Sequence, residues 1–358
     1  MEKLVMSEEK MKILITGNMG YVGSVLVQHL RSSFPKAILI GYDQGFFAHC
    51  LTGSSRIPES YIDHQIYGDI RNITKTILSE VDIVIHLAAI SNDPMGKIFE
   101  ELTDEINCKS SIELAKIAMN SGVKNFVFAS SCSVYGASGV QKRIETDTLN
   151  PLTAYARSKI STEKFFSEWE QNSMTITSLR FSTACGLSDR LRLDLVLNDF
   201  VASAFVSKNI TILSDGTPWR PLIDVMDMAR AIEWAMLRRV GNGGPHLSIN
   251  VGSDEWNFQV RDLAEAVASQ IDQCTISINP NPSPDQRSYQ VDFSLFRKLA
   301  PNHQPIIKPL QSIKKLVERF EKMVFKDTDF RNSDFIRLKV IKNHIKENRL
   351  SENLRWIS

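Results

Sequence analysis

The sequence is short of cysteine and of long apolar runs, and each shortage excludes a class of protein. Its five cysteines lie far apart and form no CxxC pair: Cys50, Cys108, Cys132, Cys185 and Cys274. This pattern argues against a disulfide scaffold or a structural zinc site and favours reduced thiols in the cytoplasm. The longest apolar run, near residues 81–90, is interrupted by Asp82 and His86, whereas a membrane-spanning helix needs about 20 apolar residues. Residues 1–10 mix Glu and Lys, so we predict neither a secretion signal nor a transmembrane helix.

An excess of charge of either sign is also missing. The chain has 42 Lys and Arg against 41 Asp and Glu, a formal net charge of +1, without a long run of one sign. This balance argues against nucleic acid or an anionic membrane as the main partner. At 43% hydrophobic and 23% charged residues the composition is that of an ordinary globular protein. Because 358 residues exceed one usual core, we expect a large domain and a smaller companion, with a cleft between them.

Short apolar segments alternate with amphipathic ones over the first half of the chain. Five segments have the apolar, β-branched character of buried strands: residues 12–16, 37–42, 81–87, 125–129 and 176–180. Helical spacing follows the first segment over residues 22–30 and precedes the fourth over residues 112–119, and a further helix is predicted to begin at Pro151. Alternation of this kind predicts an α/β fold with a doubly wound parallel sheet. Its ligand crevice would lie beyond the carboxyl ends of the strands.

A glycine-rich turn ends the first predicted strand and opens the first helix: Gly17, Asn18, Met19, Gly20, Tyr21, Val22 and Gly23. Glycines let the backbone approach a pyrophosphate, whose charge is stabilised by the helix N-terminus. Asp43 follows about 20 residues after Gly23, at the end of the second strand. Its carboxylate can accept hydrogen bonds from ribose hydroxyls and would repel a 2′-phosphate. The joint pattern predicts NAD rather than NADP; a bare structural turn and a solvated Asp43 are the alternatives.

The remaining chain suggests how the domains are arranged. Residues 187–220 and 255–310 lack the strand and helix alternation, and residues 279–284 form a proline-rich loop. We therefore assign a NAD-binding domain to residues 11–182 plus 222–253, an interleaved substrate-binding lobe to residues 183–221 plus 254–310, and a helical tail to residues 311–358. Apolar residues at helical spacing after Phe330 predict that the tail forms an amphipathic helix, docked on the protein or facing a partner.

A tyrosine and a lysine lie four residues apart on a predicted helix. Tyr155 and Lys159 therefore share one face and can point into one cleft. A free phenol has a pKa of about 10, and lowering it to about 7 needs roughly 4 kcal/mol, which a nearby ammonium and a cationic nicotinamide can jointly supply. The pair suggests that Tyr155 acts as general base and acid. On this spacing alone, Tyr155 is as often a surface tyrosine as a catalyst.

The glycine spacing, three residues and then three, resembles that of the extended short-chain dehydrogenase/reductase superfamily. Six further segments are similar to its motifs, in its order: residues 68–71, 86–89, 130–136, 155–159, 180–186 and 220–225. The resemblance covers about residues 11–310 and implies a Rossmann sheet, NAD as cofactor and a nucleoside-diphosphate sugar as substrate, as in the UDP-glucose 4-epimerase-like branch. It also implies further cofactor contacts at Asp69, Ile70, Leu87, Ala88, Ala89 and Asn107, besides Tyr155 and Lys159.

The resemblance also bears on the reaction. Ser131 occupies the position of the hydroxyl that hydrogen-bonds the reacting sugar oxygen, beside catalytic Tyr155 and Lys159. The next two positions carry an Asp-Glu pair in the 4,6-dehydratases of the superfamily, but this chain has Cys132 and Ser133. Their absence favours an epimerase that transiently oxidises a sugar hydroxyl at C4. A 4-ketoreductase, an atypical dehydratase with Cys132 as an acid, and a non-catalytic NAD-binding scaffold are the alternatives, with a structural thiol the commoner reading of Cys132.

Substrate-binding residues are predicted mainly from the resemblance. Arg220 matches an arginine that grips the diphosphate, Arg287 is a second candidate, and Asn198 and Ser91 are weaker ones; guanidinium groups suit phosphate. Thr183 stands where many relatives have an asparagine that touches the diphosphate, and Asp224 stands where histidine is usual. For each arginine a surface ion pair is the alternative. Relatives commonly dimerise through the helix that carries the Tyr-Lys pair, so a homodimer is expected, with no metal ion.

Overall fold

The computed structural model describes residues 11–53, 55–137, 141–170, 173–279 and 288–357. Arg287 and most of the proline-rich loop lie outside these ranges. The strands are β1 Lys12–Thr16, β2 Ile38–Asp43, β3 His64–Tyr67, β4 Ile83–His86, β5 Asn125–Ser131, β6 Thr175–Phe181, β7 Thr183–Cys185, β8 Asn209–Ile212, β9 Trp219–Asp224, β10 His246–Val251, β11 Asn257–Gln259 and β12 Thr275–Ile278. The helices are α1 Tyr21–Ser33, α2 Asp93–Ile98, α3 Glu100–Asp104, α4 Ser110–Asn120, α5 Ala154–Glu168, α6 Val196–Ser207, α7 Val225–Met236, α8 Val260–Ala268, α9 Ser294–Leu299, α10 Pro309–Lys322 and α11 Arg337–Lys346.

Seven strands form one sheet in the order β10-β6-β5-β4-β1-β2-β3. All of its neighbouring strands pair in parallel, with β1 between β2 and β4. The chain runs outward from β1 through β2 to β3 and then returns to place β4 on the other side of β1. The crevice between the ends of β1 and β4 is therefore the switch point where such sheets bind ligands. The predicted doubly wound parallel fold is confirmed.

The alternation of side chains along β1 explains why this segment forms the middle of the sheet. Ile13 and Ile15 pack into the apolar cluster on one face, and Leu14 packs into the cluster on the other. All three side chains are fully buried. Burial of each such side chain contributes about 1.5–3 kcal/mol, so a strand covered by helices on both faces favours a continuous apolar run.

Several elements differ from the sequence predictions. The stretches expected to be irregular contain α6, β8, β9, α8 and β12. Strand β8 pairs in parallel with β12, Asn209 opposite Thr275, and such a distant partner leaves no local pattern. The edge strand β3 was not predicted either, because His64 and Tyr67 at its ends are exposed. Helix α5 begins at Ala154 rather than at Pro151, since the Thr153 side chain accepts a hydrogen bond from the Ala156 N–H at 3.1 Å and caps the helix.

The segment after residue 308 packs on the rest of the protein. Helix α10 places Ile313, Leu316 and Phe320 in the larger apolar cluster. Helix α11 places Ile341 in the cluster on the opposite face of the sheet. None of the helices in the described ranges is long and apolar enough to cross a membrane.

Candidate active site

A cavity of about 1250 Å³ opens at the carboxyl ends of the central strands. Its wall includes Gly17 after β1, Asp43 at the end of β2, Leu87 after β4, Ser131 at the end of β5 and Phe181 at the end of β6. Residues separated by more than 160 positions in the chain meet there because parallel strands end at the same edge of the sheet. Among the residues predicted from sequence, those in the wall are Gly17, Gly20, Tyr21, Val22, Gly23, Asp43, Ile70, Leu87, Ala88, Ala89, Ser91, Ser131, Tyr155, Lys159, Thr183 and Arg220.

The glycine turn has the geometry that a dinucleotide phosphate requires. Gly17 has φ +75°, and a Cβ there would lie 2.6 Å from the Ala88 nitrogen, so no other residue fits without distortion. A Cβ at Gly20 would meet only the Gly17 carbonyl oxygen, at 3.2 Å, which leaves open space beside the turn. Helix α1 starts there without a side-chain cap and without an acidic residue in its first turn. Its N-terminus is therefore available to an anion, and the residues present fit a dinucleotide.

The Asp43 carboxylate is hydrogen-bonded to the glycine turn and to the loop that follows β2. Its two carboxylate oxygens accept hydrogen bonds from the N–H groups of Gly45, at 2.8 Å, and Met19, at 3.1 Å. Burial raises the pKa of this carboxyl, while the two backbone donors and the Arg190 charge lower it. Each oxygen keeps a further lone pair, so Asp43 can accept from ribose hydroxyls without releasing the turn.

Four of the predicted cofactor residues do not reach the cavity wall. Met19 is buried behind the turn, and Asn18 donates a hydrogen bond to Gln65 at 2.7 Å. Asp69 is ion-paired with Arg71 at 2.5 Å. Asn107 donates to the Ile90 carbonyl at 2.9 Å and accepts from the Ile90 N–H at 2.8 Å. These side chains support the loops that form the site.

Asn107 illustrates how this support is built. It lies in a π-helical turn, Glu105–Lys109, that joins α3 to α4, and such turns are frequent at functional sites. The bidentate contact with Ile90 fixes the loop that follows β4, next to Ser91 in the cavity wall. We therefore regard Asn107 as a positioning residue for that loop.

Tyr155, Lys159 and Ser131 are brought together in the wall. The Lys159 Nζ lies 5.6 Å from the centre of the Tyr155 ring and 4.6 Å from that of Phe128. The Ser131 hydroxyl interacts with the Tyr155 phenol and also accepts the Ser133 N–H at 3.1 Å. Phenol, hydroxyl and amine thus face one space, as proton transfer to a bound hydroxyl requires.

Burial sets the protonation of this group in the protein alone. It raises the pKa of Tyr155 to about 12, an effect to which the Asp93 charge adds and which Ser131 and Arg192 oppose. Burial also lowers the pKa of Lys159 to about 7, although Glu163 and Cys108 oppose this shift. A free phenol has a pKa of about 10, so the activation that Tyr155 needs in the protein is larger than the sequence predicted. At about 1.4 kcal/mol per unit, bringing Tyr155 from about 12 to 7 needs roughly 7 kcal/mol.

A buried ionic network joins helix α5 to strands β5 and β6. The Arg180 guanidinium contacts the Glu163 carboxylate at 2.7 Å, and Arg180 also donates to the Tyr135 hydroxyl at 3.0 Å. The Ser130 hydroxyl donates to the same carboxylate. Glu163 lies one helical turn beyond Lys159 and two beyond Tyr155, so the network fixes the helix face that carries the pair.

Cys132 and Ser133 are not suited to act as the acid and base of a dehydration. The Cys132 side chain is fully buried, its thiol donates to the Arg180 carbonyl oxygen at 3.0 Å, and burial raises its pKa far above the usual value. Cys132 is therefore a structural thiol. Ser133 lies in the wall, but a serine hydroxyl cannot replace a carboxylic acid as a proton donor at neutral pH.

The predicted substrate residues divide into three groups. Arg220, Ser91 and Thr183 lie in the wall, and the Arg220 guanidinium also donates to the Trp219 carbonyl oxygen at 2.8 Å. Asn198 does not reach the wall. Its side-chain oxygen accepts a hydrogen bond from the Gly186 N–H at 2.9 Å, and its side-chain nitrogen donates to the Arg192 carbonyl oxygen at 2.9 Å. Arg287 lies outside the described residues.

Asp224, which stands where a histidine is usual, has a structural role. Its carboxylate caps α7 by accepting the Met226 N–H at 2.9 Å and accepts a hydrogen bond from Ser312. Asp224 is not part of the cavity wall. Asp224 therefore supports the elements behind the site and adds no group to its surface.

The structure adds six charged residues to the wall that were not predicted from the sequence as site residues: Asp93, Arg192, Asp194, Asp199, Arg331 and Arg337. Arg192 is ion-paired with Asp194, with Nε to Oδ1 at 2.9 Å, and contacts the Ser91 hydroxyl at 3.2 Å. The alternation of charged and apolar residues over 190–194 is the signal that could have indicated inward-facing arginines. Arg337 comes from the tail and had no such local signal.

A parallel sheet with a glycine turn at its switch point, an acid at the end of the second strand and a buried Tyr-Lys pair define a nicotinamide-dinucleotide enzyme that acts on a hydroxyl or carbonyl group. The model of the NAD dependent epimerase/dehydratase family matches residues 13–252. The chain belongs to this family, and NAD is its cofactor.

Two relatives and one solved structure show the range of this similarity. The chain is 27% identical to a UDP-glucose 4-epimerase of Streptomyces lividans over 72% of this chain and 80% of that protein. It is 25% identical to UDP-glucuronic acid decarboxylase 6 of Arabidopsis thaliana, over 87% and 90%. The structure of MoeE5 in complex with UDP-glucose and NAD is similar in fold, with a TM-score of 0.74, 22% identity and coverage of 87% and 99%. The protein is an NAD-dependent enzyme of the nucleotide-sugar epimerase/dehydratase type.

Proposed function

We propose that the protein is a nucleotide-sugar epimerase that transiently oxidises a sugar hydroxyl at C4. The proposal is carried by one observation. Tyr155, Ser131 and Lys159 share the cavity with the glycine turn, while the positions that carry acid and base in the 4,6-dehydratases hold the buried thiol of Cys132 and the hydroxyl of Ser133. This arrangement suits reversible oxidation and lacks the pair of acidic groups at those positions that elimination of water needs.

The residues of the chain would act on the substrate in two steps. Tyr155 accepts the proton of the C4 hydroxyl, and Ser131 orients that oxygen through a hydrogen bond. Lys159 contributes positive charge on the same side of the phenol. Bound NAD would supply the hydride acceptor for C4 and, in its reduced form, the hydride donor. If the 4-keto sugar turns over in the cavity before the hydride returns, Tyr155 gives the proton back and the other epimer results.

The substrate side of the cavity offers groups for a diphosphate. Arg220 is nine-tenths buried in the wall, and a guanidinium in such a place can bind phosphate with two parallel hydrogen bonds. Thr183 and Ser91 add hydroxyl groups to the same wall. We propose Arg220 as the principal diphosphate contact, with the smaller groups adjusting its selectivity, and Arg287 stays a sequence prediction.

A panel of nucleotide sugars tests the proposal. The purified protein is incubated with UDP-, GDP-, CDP- and dTDP-sugars without added reductant, and the products are separated by chromatography and identified by NMR. We expect the 4-epimer of one of these sugars to accumulate to an equilibrium ratio, with no net change in NADH absorbance. Turnover only with a 4-keto sugar and stoichiometric NADH would instead establish the ketoreductase.

One observation favours a second candidate, an atypical dehydratase. The Asp93 carboxylate lies in the cavity wall, accepts a hydrogen bond from Thr153 at 2.7 Å and raises the pKa of Tyr155. A carboxylate so near the phenol could accept a proton from the carbon next to C4 once a ketone has formed. Elimination could then use Asp93 in place of the missing acidic pair.

Substitution of Asp93 by asparagine separates these two candidates. For the epimerase, loss of the negative charge beside Tyr155 should lower the phenol pKa and shift the rising limb of the kcat profile to lower pH, by about half a unit to one unit. The maximal rate should stay within about threefold. For the dehydratase, loss of the base should cost about 100-fold or more in kcat. Asp104→Asn, which removes an exposed carboxylate paired with Lys109, is the matched control.

A homodimer and a cytoplasmic location stay predictions. All five cysteines are free and four are buried, which agrees with a protein that needs no disulfide. Helices α4 and α5 lie side by side, the arrangement through which the family resemblance implies dimerisation. Sedimentation equilibrium should therefore give twice the 40.5 kDa mass of the chain; a single chain mass at micromolar concentration would contradict the dimer.

A further inference from the structure

The C-terminal segment covers one end of the cofactor cavity. This segment, residues 326–357, is here called the C-terminal cover, and it lies outside the 13–252 range that matches the family model. Four of its side chains form part of the cavity wall: Arg331, Arg337, Ile341 and Leu354. The tail predicted from its apolar spacing is thus a component of the site.

The C-terminal cover is attached to the loop that directly follows Asp43. The Trp356 indole N–H donates to the Gln44 carbonyl oxygen at 2.7 Å, and the His344 Nε2 lies 2.9 Å from the Phe46 carbonyl oxygen. The Phe46 and Trp356 rings lie 5.5 Å apart. Since Asp43 is the residue for the ribose of the adenosine half, the cover closes that end of the cavity.

Two arginines of the cover line the cavity: Arg331 is half-exposed and paired with Asp199 at 2.8 Å, whereas Arg337 is buried. The Arg337 side chain is 2% exposed, its Nη2 donates to the Arg190 carbonyl oxygen at 2.7 Å, and its guanidinium stacks 4.6 Å from the centre of the Phe47 ring. The buried Cys50 thiol, only a weak acceptor, lies beside it. Nη1 is buried and has no hydrogen-bond partner among the residues that the structure describes.

The neighbouring charges do not neutralise this guanidinium. Arg190 is paired with Glu59 at 2.6 Å and Arg192 with Asp194 at 2.9 Å. Within the described ranges no carboxylate lies within 4 Å of Arg337. Burial lowers its pKa to about 10, a shift to which the charges of Arg192 and Arg190 add and which Cys50 and the more distant Asp194 carboxylate oppose, so it is still protonated at neutral pH. A buried cation without a paired anion is costly, and an anionic ligand in the cavity would remove this cost.

We propose that Arg337 binds a phosphate oxygen of the NAD pyrophosphate and that the C-terminal cover retains the dinucleotide in its site. The dinucleotide is favoured over the diphosphate of the sugar substrate because the cover contacts the loop after Asp43, and because Phe47, Ile341 and Leu354 surround this end of the cavity. Gly20 at the N-terminus of α1 and the inward-facing Arg337 would then offer donors to the same pyrophosphate. The inference rests on NAD as cofactor and is independent of the sugar and of the carbon oxidised.

The release of NADH measures this contact on the intact holoenzyme. Protein preloaded with NADH is mixed with excess NAD, and the loss of bound NADH fluorescence gives the release rate. Arg337→Met should release NADH roughly 10- to 100-fold faster, the range expected for losing a hydrogen bond between charged groups. Arg337→Lys keeps a point charge without the planar guanidinium, so its NADH release rate should lie between those of the wild type and Arg337→Met. This variant also tests the proposal if Arg337→Met does not fold. Arg349→Met, an exposed arginine of the same cover, is the control and should behave as wild type.

Two further measurements distinguish this role from the alternatives. UDP affinity, measured by calorimetry, should be unchanged in Arg337→Met, and the melting temperature of the cofactor-free protein should be equal or higher, because an unpaired buried charge is removed. An NADH release rate within twofold of wild type overturns the proposal. If that result comes with weaker UDP binding, Arg337 serves the substrate diphosphate; if it comes with a lower melting temperature, Arg337 serves the fold.

Discussion

Tyr155→Phe should lower kcat by about 10³-fold, within the 10²- to 10⁴-fold range of a lost general base, while KM changes little. The variant keeps the ring that packs in the cavity wall and removes only the hydroxyl that faces Ser131. No other phenol stands beside Lys159 in the described part of the chain, so the proton of the substrate hydroxyl would have no acceptor with a suitable pKa. Initial rates on the sugar identified by the panel give this comparison.

Tyr67→Phe provides the control for this first variant, because that side chain is 68% exposed on edge strand β3 and lies outside the cavity wall. It should have wild-type kcat. NADH binding to Tyr155→Phe, measured by fluorescence, should stay within a few-fold of wild type and show that the site is intact. A Tyr155→Phe enzyme with more than a tenth of wild-type kcat would contradict the role of Tyr155 as base and acid.

Lys159→Met should abolish most activity and yet stabilise the cofactor-free protein. Loss of the ammonium beside Tyr155 should cost about 10²-fold or more in kcat, because the phenolate form loses a positive charge that lies 5.6 Å from the centre of its ring. The pKa of Lys159 is lowered by burial to about 7, so the unfolded chain binds this proton more tightly than the folded one. Methionine removes that penalty, and we expect roughly 1–3 kcal/mol of added stability at pH 7.

The stability difference between Lys159→Met and the wild type should depend on pH in a direction that the pKa shift of Lys159 determines. Because the folded pKa of Lys159 lies below its usual value, the penalty is complete below about pH 7 and decreases as the pH rises towards 10.5. The stability advantage of Lys159→Met, measured by urea unfolding, should therefore be largest at pH 6 and shrink by pH 9. Lys164→Met, which removes an exposed lysine of the same helix, should show neither effect. An advantage that grows with pH would contradict a lysine destabilised by burial.

The two predictions together describe a site whose function opposes stability. Burial raises the pKa of the acid that must ionise and lowers the pKa of the base that must carry charge. At neutral pH the Tyr155 phenol is therefore neutral in the protein alone, and Lys159 carries its positive charge only about half of the time. A cavity of this kind avoids a permanent buried ion pair, and the bound ligands must supply the electrostatic field that activates Tyr155.

The parts of the fold that could be predicted have a local cause. Strand β1 was predicted over residues 12–16 and is Lys12–Thr16, because a strand buried on both faces requires an uninterrupted apolar run. The edge strand β3 was missed, since an exposed strand needs no such run. The substrate-side elements were missed for another reason: β8 depends on β12, and that pairing is not visible in either segment.

Local sequence patterns were sufficient to predict the doubly wound parallel sheet, the position of the glycine turn, the acid at Asp43 and the spacing of Tyr155 and Lys159, because each depends on residues close together in the chain. Which polar groups face the cavity became visible only in the folded protein. The side chains of Asn198 and Asp224 accept hydrogen bonds from backbone N–H groups and do not reach the cavity. Arg337 reaches the wall, where it is held by a hydrogen bond to the carbonyl oxygen of Arg190, 147 residues earlier in the chain. Burial, which is a property of the assembled core, decided the pKa values of the catalytic pair, and no local pattern encodes it.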